Sequence, residues 1–307
     1  MSDSECTVSV KNIYKKFGNR EVLQDLSLSL HAGTVFGLVG LNGTGKTTLI
    51  RILLGLLEAD SGTSTVLGMN PAEQRRGYYR RVGVVLEHNG FFGNLTVRDN
   101  LSFFAGARGV SKQEMENYFN LYWSDTAIGN DTKRVKYYSR GQKMQCALCR
   151  AFLGWPEVYF LDEPVAALDM EAYNRFCAMI RKAQAEGATI IISSHQLDAI
   201  EDLCTSVGIL ENGSISLLEG FSEKKNGALW YVRTERNENY KKDVERITGG
   251  AAELSDGYIQ FTVSEPCEEK ISALVACLVS RGASVFEVRP ESRSFRKSIR
   301  QFYTGKV

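Results

Sequence analysis

The sequence predicts an α/β fold built around a parallel β-sheet, followed by a smaller α+β domain. Three short and almost wholly apolar segments predict buried strands: "TVFGLVG", "VYFLDEP" and "ATIIISS". Segments of helical character separate them, and strands that are apolar on both sides indicate a parallel sheet covered on both faces. The 307 residues suffice for one large domain. Two unequal domains agree better with the sequence, because the chain becomes more charged from about residue 221.

The composition is that of an ordinary globular protein, with 43% hydrophobic residues, 24% charged residues and a net charge of +1. Because neutralising phosphates requires a strong basic excess, this balance argues against nucleic acid as the main partner. The N-terminal "MSDSECTVSVKNIYKKF" lacks the apolar region of a secretory signal, and no segment approaches about 18 uninterrupted apolar residues. We therefore expect neither a secretory signal nor a membrane span.

The seven cysteines show no framework spacing, which favours reduced thiols in a cytosolic protein. Cys146 and Cys149 form the one close pair, but no second pair completes a zinc site. We interpret both as small core residues of a helix.

The first predicted domain covers residues 1–220. It opens with the alternating stretch 7–30, which indicates antiparallel strands, and continues into "TVFGLVG", a Gly-rich turn and the helix "KTTLIRILLGLL". A helical subdomain at about 88–155 separates this unit from "VYFLDEP". A helix at 171–186 and the strand "ATIIISS" follow.

The second predicted domain covers residues 221–307, after the linker-like "SEKKNG". Its segments follow the order strand, helix, strand, strand, helix, strand, with a Ser-Asp-Gly turn between the two middle strands. This order is the split-βαβ pattern of ferredoxin-like domains.

A phosphate-binding loop is predicted by "GLNGTGKT", which matches G-x-x-x-x-G-K-[ST] between a buried strand and a helix. Its glycines let the backbone N–H groups point at phosphate oxygens. Lys46 then reaches the β- and γ-phosphates, and the Thr47 hydroxyl can bind Mg²⁺. The predicted nucleotide-binding residues of the loop are Gly40, Asn42, Gly43, Thr44, Gly45, Lys46 and Thr47.

Two further strand ends carry polar groups. Asp162 ends "VYFLD", where it can hold Mg²⁺, and Glu163 follows as a candidate general base for an attacking water. "IIISSH" ends with His195 on the face where a γ-phosphate would lie. An Asp-Glu pair or a lone histidine at a strand end is common and is weak evidence by itself. Together with the phosphate loop, both indicate a nucleotide-hydrolysing site.

In this order the motifs resemble those of the ATP-binding cassette (ABC) ATPases, which have a P-loop (RecA-like) core with antiparallel and helical subdomains. "YSRGQ" at 138–142 is similar to the family's LSGGQ signature, and "VAALD" resembles its D-loop with Asp169 at the aspartate. His195 matches the switch histidine. "YKKFGNREVL" resembles the strand that offers an aromatic ring to adenine, with Phe17 as that ring. The resemblance covers residues 7 to about 220.

The resemblance implies ATP and Mg²⁺ as cofactors and ATP hydrolysis as the activity. It places Thr48 beside the α-phosphate and Glu163 against the water. It further implies a homodimer, because the signature of one protomer closes on the γ-phosphate that the other protomer holds. The signature residues are Ser139, Arg140, Gly141 and Gln142.

Two departures point to one subfamily. Glu87 stands where the family's Q-loop normally has glutamine, and the resemblance makes it a contact of the nucleotide and the metal. In the signature, Tyr138 replaces Leu and Arg140 replaces the first Gly. Glu at the Q-loop and a basic signature residue are similar to ATPases that export sodium, antibiotics or bacteriocins. We expect hydrolysis to be retained.

The resemblance also implies a separate transmembrane permease, with the chain peripheral on the cytoplasmic face of the cell membrane. Phe91 and Phe92 are candidates for the docking surface, and burial within the helical subdomain is the alternative for both. A basic C-terminal tail offers a contact with anionic lipid, against the alternative of a solvated helix face. Its charged residues are Arg289, Glu291, Arg293, Arg296, Lys297, Arg300 and Lys306.

Three other functions stay open. A cassette ATPase acting on ribosomes or nucleic acid usually has two cassettes or a long coiled coil, and this chain has one cassette and no sustained heptads. A P-loop kinase would need an acceptor pocket and no signature motif. A regulatory cassette that binds ATP but hydrolyses it weakly is the third alternative. The presence of Lys46, Glu163 and His195, the predicted catalytic residues, argues against it.

Overall fold

The computed structural model describes residues 6–73, 75–86, 90–129, 132–195, 200, 203–218, 228–263 and 267–290. The chain divides into two compact units, Met1–Glu219 and Gly220–Val307. Each unit has an apolar core of its own among these residues.

The first unit contains a six-stranded sheet and a three-stranded antiparallel sheet. Its strands are β1 (Cys6–Phe17), β2 (Arg20–His31), β3 (Val35–Val39), β4 (Ser61–Val66), β5 (Val82–Val85), β6 (Val158–Asp162), β7 (Thr189–Ser194), β8 (Ser206–Glu211) and β9 (Ser214–Leu217). The larger sheet has the order β5-β6-β7-β3-β8-β9, parallel except for β9, and the smaller one has the order β2-β1-β4.

Helices connect and cover these strands. They are α1 (Lys46–Leu53), α2 (Arg75–Tyr78), α3 (Val97–Arg108), α4 (Lys112–Tyr122), α5 (Arg140–Phe152) and α6 (Met170–Ala185). The helical subdomain consists of α3, α4 and α5, and both α3 and α4 begin with a capping box that satisfies free N–H groups of the first turn. None of the helices in the described ranges is long and apolar enough to cross a membrane.

The order of the parallel strands positions the candidate site. Every residue of β3, β6 and β7 is buried, as predicted from their apolar sequences. These strands are direct neighbours in the order β6-β7-β3. Since the carboxyl ends of parallel strands meet at one edge, the segments that follow all three emerge side by side.

Strand β4 was not anticipated from the sequence. It reads "SGTSTV", and five of its six residues are exposed or partly exposed. It completes the smaller sheet by pairing antiparallel with β1. A strand with one buried residue leaves no alternating pattern to detect.

The second unit has the predicted ferredoxin-like order. Its elements are β10 (Ala228–Thr234), α7 (Asn237–Thr248), β11 (Ala252–Ser255), β12 (Tyr258–Val263), α8 (Cys267–Ser280) and β13 (Val285–Pro290). The sheet order is β11-β12-β10-β13 with antiparallel pairs throughout. Buried apolar side chains of the sheet and both helices, among them Val232, Val244, Phe261 and Leu274, form its core.

Candidate active site

The loop between β3 and α1 has the backbone that the phosphate motif predicts. Gly43 and Gly45 adopt left-handed conformations with φ of 81° and 111°, which side chains disfavour. A Cβ on Gly40 would lie 2.6 Å from the carbonyl oxygen of Leu210. Gly45 is the N-cap of α1 and makes no side-chain capping bond, so the first N–H groups of α1 are available to an anion.

Lys46 is the buried cation of this loop. Its Nζ donates to the carbonyl oxygens of Gly40 at 2.7 Å and Leu41 at 3.1 Å, and it lies 3.9 Å from Oε1 of Glu163. Burial lowers the pKa of Lys46, while the charges of Glu163 and Asp162 act in the opposite direction. Anionic phosphate oxygens would stabilise this ammonium group better than neutral carbonyls do.

Asp162 is buried at the end of β6 and accepts two hydroxyl hydrogen bonds. The Thr47 hydroxyl donates to its Oδ2 at 2.7 Å, and the Ser193 hydroxyl donates to its Oδ1. A carboxylate and a hydroxyl are the hard oxygen donors that Mg²⁺ prefers, so the residues present fit this ion.

Glu163 lies directly after the strand with a left-handed backbone, φ 49°. Its N–H donates to the carbonyl oxygen of Ser193 at 3.2 Å and to the Ser193 hydroxyl at 3.1 Å. Its Oε2 lies 2.8 Å from Nδ1 of His195. Its Oε1 is buried and has no hydrogen-bond partner in the described part of the chain. This oxygen is therefore available to accept from a water, and the unusual backbone conformation is a kind that concentrates at functional sites.

Ser193 is a site residue that the sequence did not reveal. It lies on β7 opposite Asp162 of β6, and its hydroxyl connects Asp162 to the backbone of Glu163. The only signal was a pair of serines, Ser193 and Ser194, that end the strand after three isoleucines.

The hairpin of β1 and β2 brings Phe17 towards the phosphate loop. Phe17 pairs with Arg20 across the turn, and Nη2 of Arg20 donates to the carbonyl oxygen of Gly43 at 3.0 Å. The Phe17 ring is 51% exposed, with Nζ of Lys15 5.6 Å from its centroid. An exposed ring on an anchored hairpin suits a stacking contact. Arg20 was not recognised in the sequence.

The signature residues form the start of α5. Ser139 is the N-cap, and it exchanges capping-box hydrogen bonds with Gln142 at 3.0 and 3.2 Å. Arg140 is exposed. A Cβ on Gly141 would lie 2.9 Å from the carbonyl oxygen of Ala167, so this glycine allows close packing against the D-loop.

The other predicted site residues are placed as follows. Asp169 caps α6 by accepting from the N–H of Ala172 at 2.8 Å. Asn42 is exposed, Thr44 donates to the carbonyl oxygen of Leu41 at 2.9 Å, and Thr48 is partly buried on α1. Glu87 and the tail residues after Pro290 lie outside the described residues.

The structure thus brings the phosphate loop, Asp162, Glu163 and His195 to one edge of the sheet. The hydrogen bonds described for Ser139 and Gln142, in contrast, are those of their own capping box. The capping box occupies the N–H groups of Ser139 and Gln142, so the N–H groups of Arg140 and Gly141 are those of this first turn that could bind an anion supplied by another molecule.

Known proteins are similar to this chain in sequence and in fold. The family model described as "ABC transporter" matches residues 23–166. The uncharacterized ABC transporter ATP-binding protein YdbJ of Bacillus subtilis (strain 168) is 30% identical over 298 residues, 95% of this chain and 93% of that protein. The bacitracin transport ATP-binding protein BcrA of Bacillus licheniformis is 34% identical over 210 residues, 68% of each chain.

Solved structures agree with this assignment. The structure of an ATP-binding subunit of an ABC transporter has a TM-score of 0.66 and 25% identity, and the match covers 88% of this chain and 99% of that one. The predicted fold class is therefore confirmed. The chain belongs to the ATP-binding proteins of ABC transporters, a family of ATPases coupled to transport.

Proposed function

We propose that this chain is the ATP-hydrolysing subunit of an exporter whose membrane pathway is a separate permease. The observation that carries the proposal is the arrangement of Asp162, Glu163 and His195 around Lys46 and the phosphate loop. Support for the direction of transport comes from a further relative, the Nod factor export ATP-binding protein I of Burkholderia lata, which is 34% identical over 207 residues, 67% of this chain and 68% of that protein.

In this proposal the chain's own groups hold and orient the reactants. The loop N–H groups and Lys46 hold the phosphates, and Phe17 stacks on the adenine. Thr47 and Asp162 would hold Mg²⁺, with Glu87 as a further ligand, and the bound ion would supply positive charge against the phosphate oxygens. Oε1 of Glu163 accepts a proton from the attacking water, while His195 keeps Oε2 in place and contacts the γ-phosphate.

We further propose that two copies of the chain close head-to-tail over two ATP molecules. The start of α5 then supplies Ser139 and Gly141 to the γ-phosphate held by the other protomer. The Arg140 side chain is exposed beside them and adds a positive charge in trans. Closing and reopening of this dimer would drive alternating access in the permease.

The proposed docking surface for the permease consists of three exposed apolar residues, Phe92, Leu95 and Phe103. Phe92 is 47% exposed and Phe103 55%, and their ring centroids lie 4.9 Å apart. Contiguous exposed apolar groups of this kind mark interaction sites. Phe91, in contrast, is only partly exposed. The chain would then lie peripherally on the cytoplasmic face of the membrane, where the tail after Pro290 could contact anionic lipid.

The test uses Glu163→Gln in the full chain. Gel filtration with MgATP is expected to show a dimer that dissociates when the nucleotide is removed, and Lys46→Ala added to Glu163→Gln should abolish it. Wild-type ATPase should rise with the square of protein concentration when the protein is dilute. Hydrolysis proportional to concentration throughout, without a dimer, would contradict the dimeric mechanism and favour a P-loop kinase or related enzyme.

The export role needs a separate test. The permease that co-purifies with the full chain would be reconstituted into vesicles, and Phe92→Ala would be compared with Leu121→Ala, an exposed apolar residue of α4. Phe92→Ala should reduce transport while basal ATPase is retained, and Leu121→Ala should change neither. Unchanged transport with Phe92→Ala would exclude this docking surface.

A further inference from the structure

Arg20 contacts the phosphate loop from outside the loop and has no part in the chemistry proposed above. It is the first residue of β2 and is exposed. It pairs with Phe17 across the hairpin turn, so both side chains lie on one face of the hairpin. Its Nη2 donates to the carbonyl oxygen of Gly43 at 3.0 Å. The residue next to the proposed adenine contact is thus bonded to the backbone of the phosphate loop.

The hairpin also packs against the loop at a second point. A Cβ added to Gly45 would lie 2.9 Å from Cδ2 of Leu23 and 3.1 Å from the carbonyl oxygen of Val22, both on β2. Leu23 is buried in the core of this unit. Because β2 approaches the loop this closely, the fold keeps Arg20 within reach of Gly43.

The Arg20 contact fixes the orientation of the peptide bond between Gly43 and Thr44. In a trans peptide the C=O and the N–H point in opposite directions. The Gly43 carbonyl accepts from Arg20, and the Thr44 N–H points the other way, to the carbonyl oxygen of Leu41 at 3.4 Å. Nζ of Lys46 donates to the same Leu41 oxygen at 3.1 Å. The Thr44 N–H therefore lies on the side of the loop where Lys46 and the phosphates would meet.

Gly43 does not hold this orientation by itself. Its φ is 81°, and a glycine tolerates many backbone conformations, so the inverted peptide has little steric cost there. The bond from the Thr44 N–H to Leu41 is long and therefore weak. A charged donor forms a stronger hydrogen bond than a neutral one, so Arg20 is the main restraint on this peptide bond.

We propose that Arg20 is a positioning residue that keeps the N–H of Thr44 directed at the bound phosphates. In the inverted orientation the Gly43 carbonyl would face the phosphates instead, and two oxygens carrying negative charge repel each other. The inference rests on the proposed function, in which this loop holds the phosphates of ATP. It adds a residue outside the loop that determines how well the loop is prepared for them.

The test compares the binding of MgATP and of magnesium tripolyphosphate to the full chain by titration calorimetry. In Arg20→Met both dissociation constants should rise by the same factor, about tenfold, because the competent orientation is then only partly populated. The loss should persist when salt is raised from about 0.05 M to about 0.5 M, since salt screens a distant charge but not a local backbone restraint. Arg20→Lys keeps the charge and a donor, so it should lose less affinity than Arg20→Met.

Lys16→Met is the matched control, because it removes a cation from the same hairpin. Lys16 pairs with Glu21, one position beyond the pair of Phe17 and Arg20, so its side chain lies on the opposite face of the hairpin. At the higher salt concentration this variant should bind both ligands as wild type does.

Three results would overturn the proposal. Weaker binding of MgATP with unchanged binding of tripolyphosphate would assign Arg20 to the nucleoside. A loss that disappears at high salt would make Arg20 a source of charge without a positioning role. Unchanged affinity for both ligands in Arg20→Met would leave the peptide bond restrained by other groups. A wild-type chain that binds both ligands but hydrolyses no ATP would instead count against the proposed function alone.

Discussion

Nδ1 of His195 lies 2.8 Å from Oε2 of Glu163, so the residues that follow β6 and β7 are joined across the edge of the sheet. This contact holds one carboxylate oxygen of Glu163, while the other, Oε1, is buried, accepts no hydrogen bond among the described residues and lies 3.9 Å from Nζ of Lys46. The orientation of the proposed base is therefore fixed by the protein before any water arrives. Such preorganisation is what general-base catalysis requires.

Glu163→Gln should abolish most hydrolysis while leaving ATP binding nearly unchanged. The amide has almost the shape of the carboxylate but cannot take a proton, so turnover should fall by about 10²- to 10⁴-fold. Steady-state ATPase assays and equilibrium dialysis with ATP measure the two effects. Glu186→Gln, at an exposed glutamate that pairs with Lys182, is the control and should leave turnover within about twofold. Equal turnover in wild type and Glu163→Gln would rule out this residue as the base.

Ser193→Ala should weaken the response to Mg²⁺. The hydroxyl orients Asp162, a proposed metal ligand, and also accepts from the N–H of Glu163. Removing a group that orients a ligand typically costs about 10- to 100-fold in metal affinity or activity. ATPase measured against Mg²⁺ concentration should show a raised half-saturation point together with reduced maximal turnover.

Thr205→Ser is a matched control for this change. The Thr205 hydroxyl bonds the backbone of Val35 at the other end of β3, away from Asp162. This variant should leave the Mg²⁺ dependence unaltered. A Ser193→Ala enzyme with the wild-type Mg²⁺ curve would show that Thr47 alone suffices to orient Asp162.

The parts of the fold that the sequence predicted are those in which one chemical pattern determines the structure. β3, β6 and β7 are buried at every position, so their apolar sequences were unambiguous. The phosphate loop was equally clear, because its glycines occupy positions where a side chain would clash or strain the backbone.

The residues that escaped prediction make contacts between segments far apart in the chain. Ser193 is 31 residues from Asp162, and its role follows from the register of β6 and β7. Arg20 reaches Gly43 only because the hairpin folds over the loop. Phe91 differs from Phe92 because the guanidinium of Arg150 on α5 packs over its ring. Local sequence patterns cannot predict contacts between residues that are far apart in the chain.

The affinity for ATP should fall as pH rises into the alkaline range. Burial places the pKa of Lys46 below its ordinary value, so the free protein loses this cation earlier than an exposed lysine would. Phosphate oxygens favour the ammonium form and raise the pKa on binding. Binding therefore takes up a proton in this window, and affinity decreases as pH rises through the lowered pKa.

Titration calorimetry in alkaline buffers of different ionisation enthalpy measures this proton uptake directly. Lys46→Met should bind ATP more weakly and lose the uptake that Lys46 contributes. If wild type and Lys46→Met take up the same number of protons, Lys46 is fully protonated in the free protein and the predicted effect is absent.

Asn100→Ala should destabilise the first unit and release the proposed docking surface. Asn100 is fully buried, its Oδ1 accepts from the N–H of Phe92 at 2.8 Å, and its Nδ2 donates to the carbonyl oxygens of Phe92 and Thr96 at 3.1 and 2.8 Å. Alanine leaves these backbone groups without their partner, which should lower the free energy of unfolding by about 1–3 kcal/mol. Chemical denaturation measures this loss.

The same variant separates stability from coupling. Asn100 contacts none of the proposed catalytic residues, so basal ATPase below the unfolding temperature should stay within about twofold of wild type. Transport with the reconstituted permease should fall more than basal ATPase does. The reason is that the Asn100 side chain no longer holds the backbone of Phe92 in place. Asn94→Ala, at an exposed position in the same loop, should alter neither quantity. If Asn100→Ala lost stability but kept full transport, Phe92 would not need its observed conformation to engage the permease, and Asn100 would serve only the folding of this loop.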